Sequence, residues 1–229
     1  MSNFLSDQVI KFNENLRYQG KLPSGFQVLN PFRDNPETMV VMRKFYENFY
    51  ADSNQRLFVI GINPSRHGAG VTGVPFTDTK RLNQICGIEM KSAHTHEVSS
   101  VFLYDVIAAY GGATAFYSRF YVNSPFPLAI VRQTLKKGSW LNANYYDDAE
   151  LFQNVKDYMI WSLRTQVSFG LETQKAFVLG KKNADFIKKL NKEANLFQEL
   201  IVLEHPRYIQ QYRSKQRTDF IEKYLNAFQ

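Results

Sequence analysis

Short runs of consecutive apolar residues recur along the chain, and stretches with a helical spacing of apolar residues separate them. Such runs are typical of strands that are buried on both faces of a parallel sheet. We predict strands at residues 57–60, 116–122, 176–179 and 200–203. Strands that alternate with helices predict an α/β fold with a mostly parallel sheet between layers of helices.

The segments between these runs carry apolar residues three or four positions apart, as in amphipathic helices. We predict helices at 4–18, 36–49, 77–86, 98–110, 148–163, 181–195 and 212–228, and a basic, aromatic loop at 134–146. No internal repeat or low-complexity tract interrupts the 229 residues, so we expect one domain over 1–229. Residues 1–52 are predicted to be an N-terminal helical extension packed on it.

The charge and the cysteine content narrow the choice of partner. Lys and Arg total 28 against 21 Asp and Glu, a formal charge of +7. This excess suits a polyanion such as nucleic acid, although a basic surface without a partner is the alternative. The single cysteine excludes an internal disulfide, and the four histidines show no zinc-binding spacing. We therefore expect no metal and no cofactor.

The N-terminal residues lack the apolar core of a signal peptide, and no apolar run has the length of a membrane span. We expect an intracellular protein, cytoplasmic if bacterial, that is not secreted, does not enter a membrane and is a monomer.

A glycine-rich turn follows the strand predicted at 57–60 and contains several polar residues. It begins at Gly61 and reads GINPSRHGAGVTGVPF through Phe76. Open α/β sheets bind ligands at the carboxyl ends of their strands, and glycines allow a ligand to approach the backbone closely. A structural turn would need the glycines but not the interleaved Asn63, Ser65 and Arg66. We interpret this turn as a binding site.

The strand predicted at 200–203 ends in a similar way, with Glu204, His205 and Pro206. Two parallel strands would bring Asn63 and His205 to the same edge of the sheet. A lone histidine is more often structural than catalytic, but its position at a strand end, before a proline that fixes the turn, favours a function.

The run from Gly61 to Phe76 resembles the first active-site motif of the single-strand-selective monofunctional uracil-DNA glycosylases. The pair His205-Pro206 resembles the second motif of the wider uracil-DNA glycosylase superfamily, and the segment that ends at Asn123 resembles its base-recognition strand. The similarity covers roughly residues 56–213. It implies a three-layer sandwich with a central, mostly parallel four-stranded sheet flanked by helices.

The resemblance also implies an activity and roles for residues. The enzyme would flip uracil out of DNA and excise it hydrolytically, leaving an abasic site in base excision repair. Asn63 would position the attacking water, His205 would donate a hydrogen bond to the departing base, Phe76 would stack on the base and Asn123 would pair with its polar edge. The remaining residues implied to contact the base are Gly61, Ile62, Pro64, Ser65 and Ala69.

Several positions depart from the family pattern. Ser65 stands where the family has glycine, Arg66 and His67 replace a proline and an aromatic residue, and Ala69 replaces a methionine. The small Ala69 leaves room for modified pyrimidines or deaminated purines, whereas Ser65 narrows the C5 side of the base. The iron–sulfur branch of the superfamily is excluded, because it needs four cysteines.

Contacts with single- or double-stranded DNA are assigned to Arg66, His67, Arg207, Tyr208 and Arg213. In the family, the loop after the histidine supplies a wedge that enters the vacated stack, and here Arg207 and Tyr208 are the candidates. Alternatively, Arg207 binds a phosphate and Tyr208 packs beneath the loop.

The segment 134–146 offers further candidates, including Lys136, Lys137, Trp140, Tyr145 and Tyr146. It either tracks phosphates and stacks on bases or folds its aromatic rings onto the core.

Two other functions were considered. A nucleic-acid-binding module with the same fold and no catalysis is the main alternative. An enzyme that binds a nucleotide phosphate is disfavoured, because the glycine-rich turn lacks both G-K-[ST] and a full G-x-G-x-x-G.

Overall fold

A computed structural model describes residues 4–134 and 138–229. The predicted DNA-contact candidates Lys136 and Lys137 lie outside the described residues. No single helix in the described ranges is long and apolar enough to cross a membrane, although the bent pair Val98–Ala109 and Ala113–Arg119 passes this test by length and composition.

Helices and short strands alternate along most of the described chain. The helices are α1 (Leu5–Asn15), α2 (Pro31–Asp34), α3 (Pro36–Tyr50), α4 (Ala69–Thr72), α5 (Thr79–Gln84), α6 (Val98–Ala109), α7 (Ala113–Arg119), α8 (Ala149–Val167), α9 (Lys181–Ala194), α10 (Pro206–Tyr212) and α11 (Arg217–Ala227). The strands are β1 (Phe26–Leu29), β2 (Leu57–Ile60), β3 (Phe120–Asn123), β4 (Ala129–Gln133), β5 (Trp140–Ala143), β6 (Lys175–Leu179) and β7 (Glu199–Leu203). A 3₁₀ helix at Ser214–Gln216 precedes α11.

A four-stranded parallel sheet in the order β3-β2-β6-β7 forms the centre of the fold, as predicted. Ile60 pairs with Asn123 on one side and with Val178 on the other, so these strands end level with one another. Leu179 and Leu203 pair in the same way. The polar turns that follow the strands therefore meet at one edge of the sheet.

Helices cover both faces of this sheet, which gives the predicted three-layer sandwich. Successive side chains of a strand point to opposite faces. The ring of Phe120 lies 4.5 Å from that of Phe228, just after α11, whereas the ring of Tyr121 lies 6.1 Å from that of Tyr50, at the end of α3. All four of these side chains are buried, so aromatic side chains pack between the sheet and the helices on each of its faces.

A second, antiparallel sheet in the order β1-β4-β5 was not predicted. The prediction of a loop over 134–146 is wrong for Trp140–Ala143, which form β5 and pair with β4. The first three residues of β4 are buried. These strands read FQVL, AIVRQ and WLNA, so each mixes polar with apolar residues and none is a continuous apolar run, and β1 pairs with β4 over a long distance in sequence.

Three other predicted elements differ from the structure. The strand predicted at 116–122 is a helix, α7, up to Arg119, because Gly111 and Gly112 take positive φ angles that let the chain turn into a helix there. The predicted loop after His205 is the helix α10. Pro206 occupies its first position, where a missing N–H costs nothing, so the proline starts a helix here. The helix predicted over 212–228 is correspondingly α11, starting at Arg217.

Candidate active site

A cavity of about 280 Å³ opens at the edge of the sheet where the parallel strands end. Its volume is close to the lower end of the roughly 300–1,000 Å³ that is common for ligand pockets. Most of the predicted site residues line it, namely Gly61, Ile62, Asn63, Pro64, Ser65, Ala69, Phe76, Asn123, His205, Arg207 and Tyr208. The predicted DNA contacts Arg66, His67 and Arg213 do not line it.

His205 caps the N-terminus of α10, and this cap fixes the state of its imidazole. The backbone N–H of Arg207 donates to Nδ1 of His205 over 3.1 Å. A backbone N–H can only donate, so Nδ1 is the acceptor and a neutral ring carries its proton on Nε2. Burial, and secondarily the charge of Arg207, lower the pKa of His205 to about 4. At neutral pH the side chain is therefore an uncharged donor through Nε2–H.

Phe76 lies beside this histidine in a conformation that aromatic residues rarely adopt. The two ring centroids are 5.8 Å apart, and Phe76 has a φ of 53°. A Cβ atom on Gly61 would lie 2.8 Å from Cε2 of Phe76, so the ring occupies space that only a glycine leaves open. Strained backbone of this kind is concentrated at functional sites, where the surrounding structure holds it.

Asn63 links the turn after β2 to the segment after β5. Its Nδ2 donates to the carbonyl oxygen of Ala143 (3.0 Å), and its Oδ1 accepts from the backbone N–H of Tyr145 (3.1 Å). The second bond fixes which end of the amide is oxygen. An amide oxygen accepts two hydrogen bonds, so one lone pair of Oδ1 is left for a water molecule.

Asn183, which the sequence analysis did not identify, also connects the turn after β2 to the segment after β5. Its Oδ1 accepts from the hydroxyl of Tyr145 (2.5 Å), and its Nδ2 donates to the carbonyl oxygens of Gly61 (3.1 Å) and Leu179 (3.2 Å). Asn183 is buried. It therefore joins the ends of β2 and β6 to the segment that holds Asn63.

Asn123 is buried at the end of β3, and a chain of polar groups sets the orientation of its amide. Its Oδ1 accepts from the backbone N–H of Ser124 (2.9 Å), and its Nδ2 donates to the hydroxyl of Tyr121 (2.8 Å). That hydroxyl donates to Oε1 of Gln166 (3.1 Å), whose Nε2 donates to the carbonyl oxygen of Ser124 (3.1 Å). Asn123 keeps one free lone pair and one free N–H.

The opposite wall of the cavity contains an acid that the sequence did not indicate, Glu97. The hydroxyl of Ser65 donates to its Oε1 over 2.6 Å. Burial above all, with a contribution from the negative charge of Asp78, raises the pKa of Glu97 to about 7, while the bond from Ser65 and the charge of Arg207 act in the opposite direction. This carboxyl group therefore changes its charge near neutral pH.

The rim of the cavity carries the exposed aromatic and basic residues. Tyr208 is 40% exposed and Tyr212 is 69% exposed, and their ring centroids are 5.8 Å apart. The guanidinium of Arg213 lies over the ring of Tyr208 at 5.6 Å. Arg66 is held near the cavity by its backbone N–H, which donates to Oδ1 of Asn142 (3.0 Å).

Sequence reasoning assigned no role in the base pocket to ten lining residues, which are Pro75, Glu97, Ser99, Ser124, Asn142, Ala143, Asn144, Tyr146, Gln211 and Tyr212. Ser124 follows the predicted Asn123. Tyr146 belongs to the segment 134–146, for which the sequence allows either contact with DNA or packing of the aromatic rings on the core. Nothing in the local sequence marks Glu97. In the described ranges, no three His, Cys, Asp or Glu residues are grouped in a way that could hold a metal ion.

Both the sequence and the fold of this chain resemble those of known proteins. A model of the uracil DNA glycosylase superfamily matches residues 47–229. Among solved structures, the crystal structure of wild-type Pedobacter heparinus SMUG2 is similar to this chain with a TM-score of 0.95 and 42% sequence identity. The match covers 98% of this chain and 97% of that one. No curated protein matches the sequence at a significant level.

Proposed function

The chain belongs to the uracil DNA glycosylase superfamily, and we propose that it is a monofunctional DNA glycosylase that hydrolytically excises uracil and leaves an abasic site. Modified pyrimidines and deaminated purines are further candidate substrates. The observation that carries the proposal is the fixed, neutral imidazole of His205 in one cavity with Asn63 and Asn123.

The departing base needs a partner for the negative charge that develops on it. As the glycosidic bond breaks, uracil leaves as an anion with charge on its O2 oxygen. Hydrogen-bond donors that are already aimed at such charge commonly supply the largest share of catalysis. His205 keeps its Nε2–H without titrating near neutral pH, so it is ready to donate to O2 at every turnover.

The sugar carbon that loses the base must accept a water molecule. Asn63 cannot serve as a base, but the free lone pair of its Oδ1 can accept a hydrogen bond from water and hold it in place. Its two bonds to the segment after β5 keep that lone pair in one direction. Positioning of this kind suffices if the attacked carbon has strong cationic character.

Base selection is assigned to Asn123 and Phe76. The free N–H and lone pair of Asn123 match the O4 acceptor and N3–H donor of uracil, whereas cytosine presents the reverse pattern. A wrong base would leave buried polar groups unpaired, which costs roughly 1–3 kcal/mol for each group. The ring of Phe76 replaces part of the stacking that the base loses on leaving the helix.

The proposal is tested with labelled oligonucleotides that carry one uracil, incubated with the purified protein in EDTA. We expect base release by the wild type and a loss of about 10²–10⁴-fold in single-turnover rate for His205→Ala. The matched control is His94→Ala, at an exposed position outside the cavity. DNA binding without release by the wild type would instead support a binding module with this fold.

A further inference from the structure

The helix α9 presents a basic face that the mechanism above does not use. Its exposed lysines are Lys181, Lys182, Lys188, Lys189 and Lys192. None of them is in an ion pair among the described residues. Of the two acids on this helix, Glu193 pairs with Lys156 and Asp185 is exposed. The face therefore keeps an excess of positive charge, which suits a polyanion.

Two of these lysines lie over aromatic rings, and the rings connect the basic face to the cavity. Tyr146 lines the cavity, and its ring is stacked on that of Phe186, with centroids 5.3 Å apart and an interplanar angle of 25°. The ammonium group of Lys182 lies 4.7 Å from the centroid of the Tyr146 ring. That of Lys189 lies 4.7 Å from the centroid of the Phe186 ring. These four side chains form a continuous surface, the α9 track, which leads outward from the cavity.

The rings hold the two ammonium groups in place without neutralising them. A lysine side chain is flexible, and contact with the face of a ring restricts it. An ammonium group has three N–H donors, so donors are left for the oxygens of a phosphate. Lys182 also lies in the first turn of α9, where the helix dipole disfavours a positive charge and no acid offsets it. Its charge does not stabilise the helix, and this favours a role in binding.

We propose that the α9 track binds the phosphate backbone of the DNA strand that flanks the target nucleotide. This inference rests on the proposed function, which supplies DNA as the substrate and places the target base in the cavity. Lys182 and Lys189 are seven residues apart, so they lie on the same side of α9 and about 10 Å apart along its axis. At an axial rise of about 3.4 Å for each nucleotide of a strand, this distance corresponds to about three nucleotides.

Contacts of this kind have a measurable signature, because a neutralised phosphate releases counterions. On single-stranded DNA, each such contact contributes about 0.7 to the slope with which the logarithm of the association constant falls against the logarithm of the salt concentration. We therefore expect Lys182→Gln/Lys189→Gln to reduce this slope by about 1.4. Because phosphates carry no sequence information, the loss should be the same for strands of different sequence.

The test measures the fluorescence anisotropy of a labelled single strand of about 20 nucleotides, with thymine in place of uracil, between about 50 and 200 mM KCl. The affinity lost by the double variant should be about sevenfold larger at the lowest salt concentration than at the highest. Lys182→Arg/Lys189→Arg should keep the wild-type slope, because it keeps both charges. Lys11→Gln/Lys44→Gln, which removes two exposed lysines outside the cavity, is the matched control and should also keep it.

A second measurement tests where the track lies relative to the target base. Uracil-containing strands are shortened on one side of the uracil at a time, and the enzyme concentration that gives half-maximal single-turnover release is measured. Shortening on one side should raise this concentration for the wild type as much as the double substitution raises it on the full strand. The double variant should not respond to the shortening, and the maximal rate should hold, because the track does not touch the reacting atoms.

The failure of this inference is distinguishable from the failure of the proposed function, because the first measurement uses DNA without uracil. If the slope falls as expected and the wild type releases no uracil, the inference holds and the proposed activity fails. If the wild type releases uracil and the double variant keeps the slope, the inference is wrong, and the basic face serves an acidic protein or only solvent. A lower Tm of the double variant with an unchanged slope would likewise overturn it, because the lysines would then only support the rings.

Discussion

The two walls of the cavity differ in how their polar groups are held. The strand-end wall, formed by Asn63, Asn123 and His205, has each side chain oriented by a backbone N–H that donates to it. The loop wall, formed by Ser65 and Glu97, is held mainly by a contact between side chains. The hydroxyl of Ser65 donates to Glu97 over 2.6 Å, whereas the backbone N–H of His67 reaches Ser65 Oγ only over 3.4 Å, and the acid has an oxygen without a partner among the described residues.

This difference separates two tasks. A backbone donor cannot change its charge or direction, so the strand-end wall presents the same groups to every substrate and at every pH near neutrality. The loop wall can change the donor and acceptor pattern of Ser65 when Glu97 gains or loses a proton. We infer that the strand-end wall carries the chemistry common to all substrates, whereas a change of pH near neutrality acts on the loop wall.

The largest expected effect is in the strand-end wall, from Asn63→Ala. We expect single-turnover release of uracil to fall by about 10²–10³-fold, because the variant loses both the group that holds water and the link to Ala143 and Tyr145. Asn83→Ala, at an exposed position of α5, is the matched control. A rate within threefold of the wild type would remove Asn63 from the mechanism.

The next effect is in the loop wall, and it concerns stability. Burial raises the pKa of Glu97 from 4.5 to about 7, so between these values the folded state keeps a proton that the unfolded state has lost. The free energy of unfolding therefore falls as the pH rises through this window. Glu97→Gln removes this penalty and should stabilise the protein by about 3 kcal/mol at pH 8, with the pH-dependent gain vanishing near pH 4.

Chemical denaturation at several pH values measures this change. Glu89→Gln, at an exposed position, is the control and should show no such pH dependence. An equal shift of Glu97→Gln at pH 4 and pH 8 would mean that the carboxyl group does not titrate in the folded protein as stated.

The two walls also differ in how far the sequence predicted them. Asn63 and His205 lie within three residues of the ends of apolar runs, so local pattern alone places both at the carboxyl edge of the sheet. Glu97 precedes α6 and reaches the cavity only because Asp78 and Gly68 fold around it. Contacts of this kind depend on packing between distant segments, which no periodicity reports.

The same reason explains part of the errors in the predicted fold. The parallel sheet was predicted because its strands are mostly continuous apolar runs, whereas β1, β4 and β5 contain polar residues and β1 joins β4 from a distant position in the sequence. The helix α10 was missed because His205 was interpreted as a catalytic residue and Pro206 as a proline that fixes a turn. They are also a helix cap and a first helical residue.

A smaller effect is expected from the groups that orient the strand-end wall. Tyr121→Phe removes the hydroxyl that accepts from Asn123 and donates to Gln166. The amide of Asn123 keeps its bond from the backbone N–H of Ser124 but loses its second anchor. We expect the preference for uracil over cytosine to fall about tenfold, because one buried hydrogen bond contributes roughly 1–1.5 kcal/mol.

The control for this change is Tyr50→Phe, which also removes a buried hydroxyl, one that donates to the carbonyl oxygen of Phe120, and does not contact Asn123. It should lower stability without changing base preference. An unchanged preference in Tyr121→Phe would show that the backbone N–H of Ser124 orients the amide by itself.

The smallest expected effect concerns the rim, where the predicted wedge residues lie on α10 instead of a loop. Arg207 and Tyr208 occupy the first turns of this helix, and Tyr208 is exposed at the mouth of the cavity. A helix presents a side chain more rigidly than a loop, so a wedge here can compensate part of the few kcal/mol needed to unstack a base from duplex DNA.

We expect Tyr208→Ala to slow release of the base from duplex DNA about fivefold more than from single strands at the same salt concentration. Ile85→Ala, which removes an exposed apolar side chain outside the cavity, is the control. Equal losses on both substrates would mean that Tyr208 contacts the DNA backbone or supports the cap at His205, and that the base pair opens without a wedge from this position.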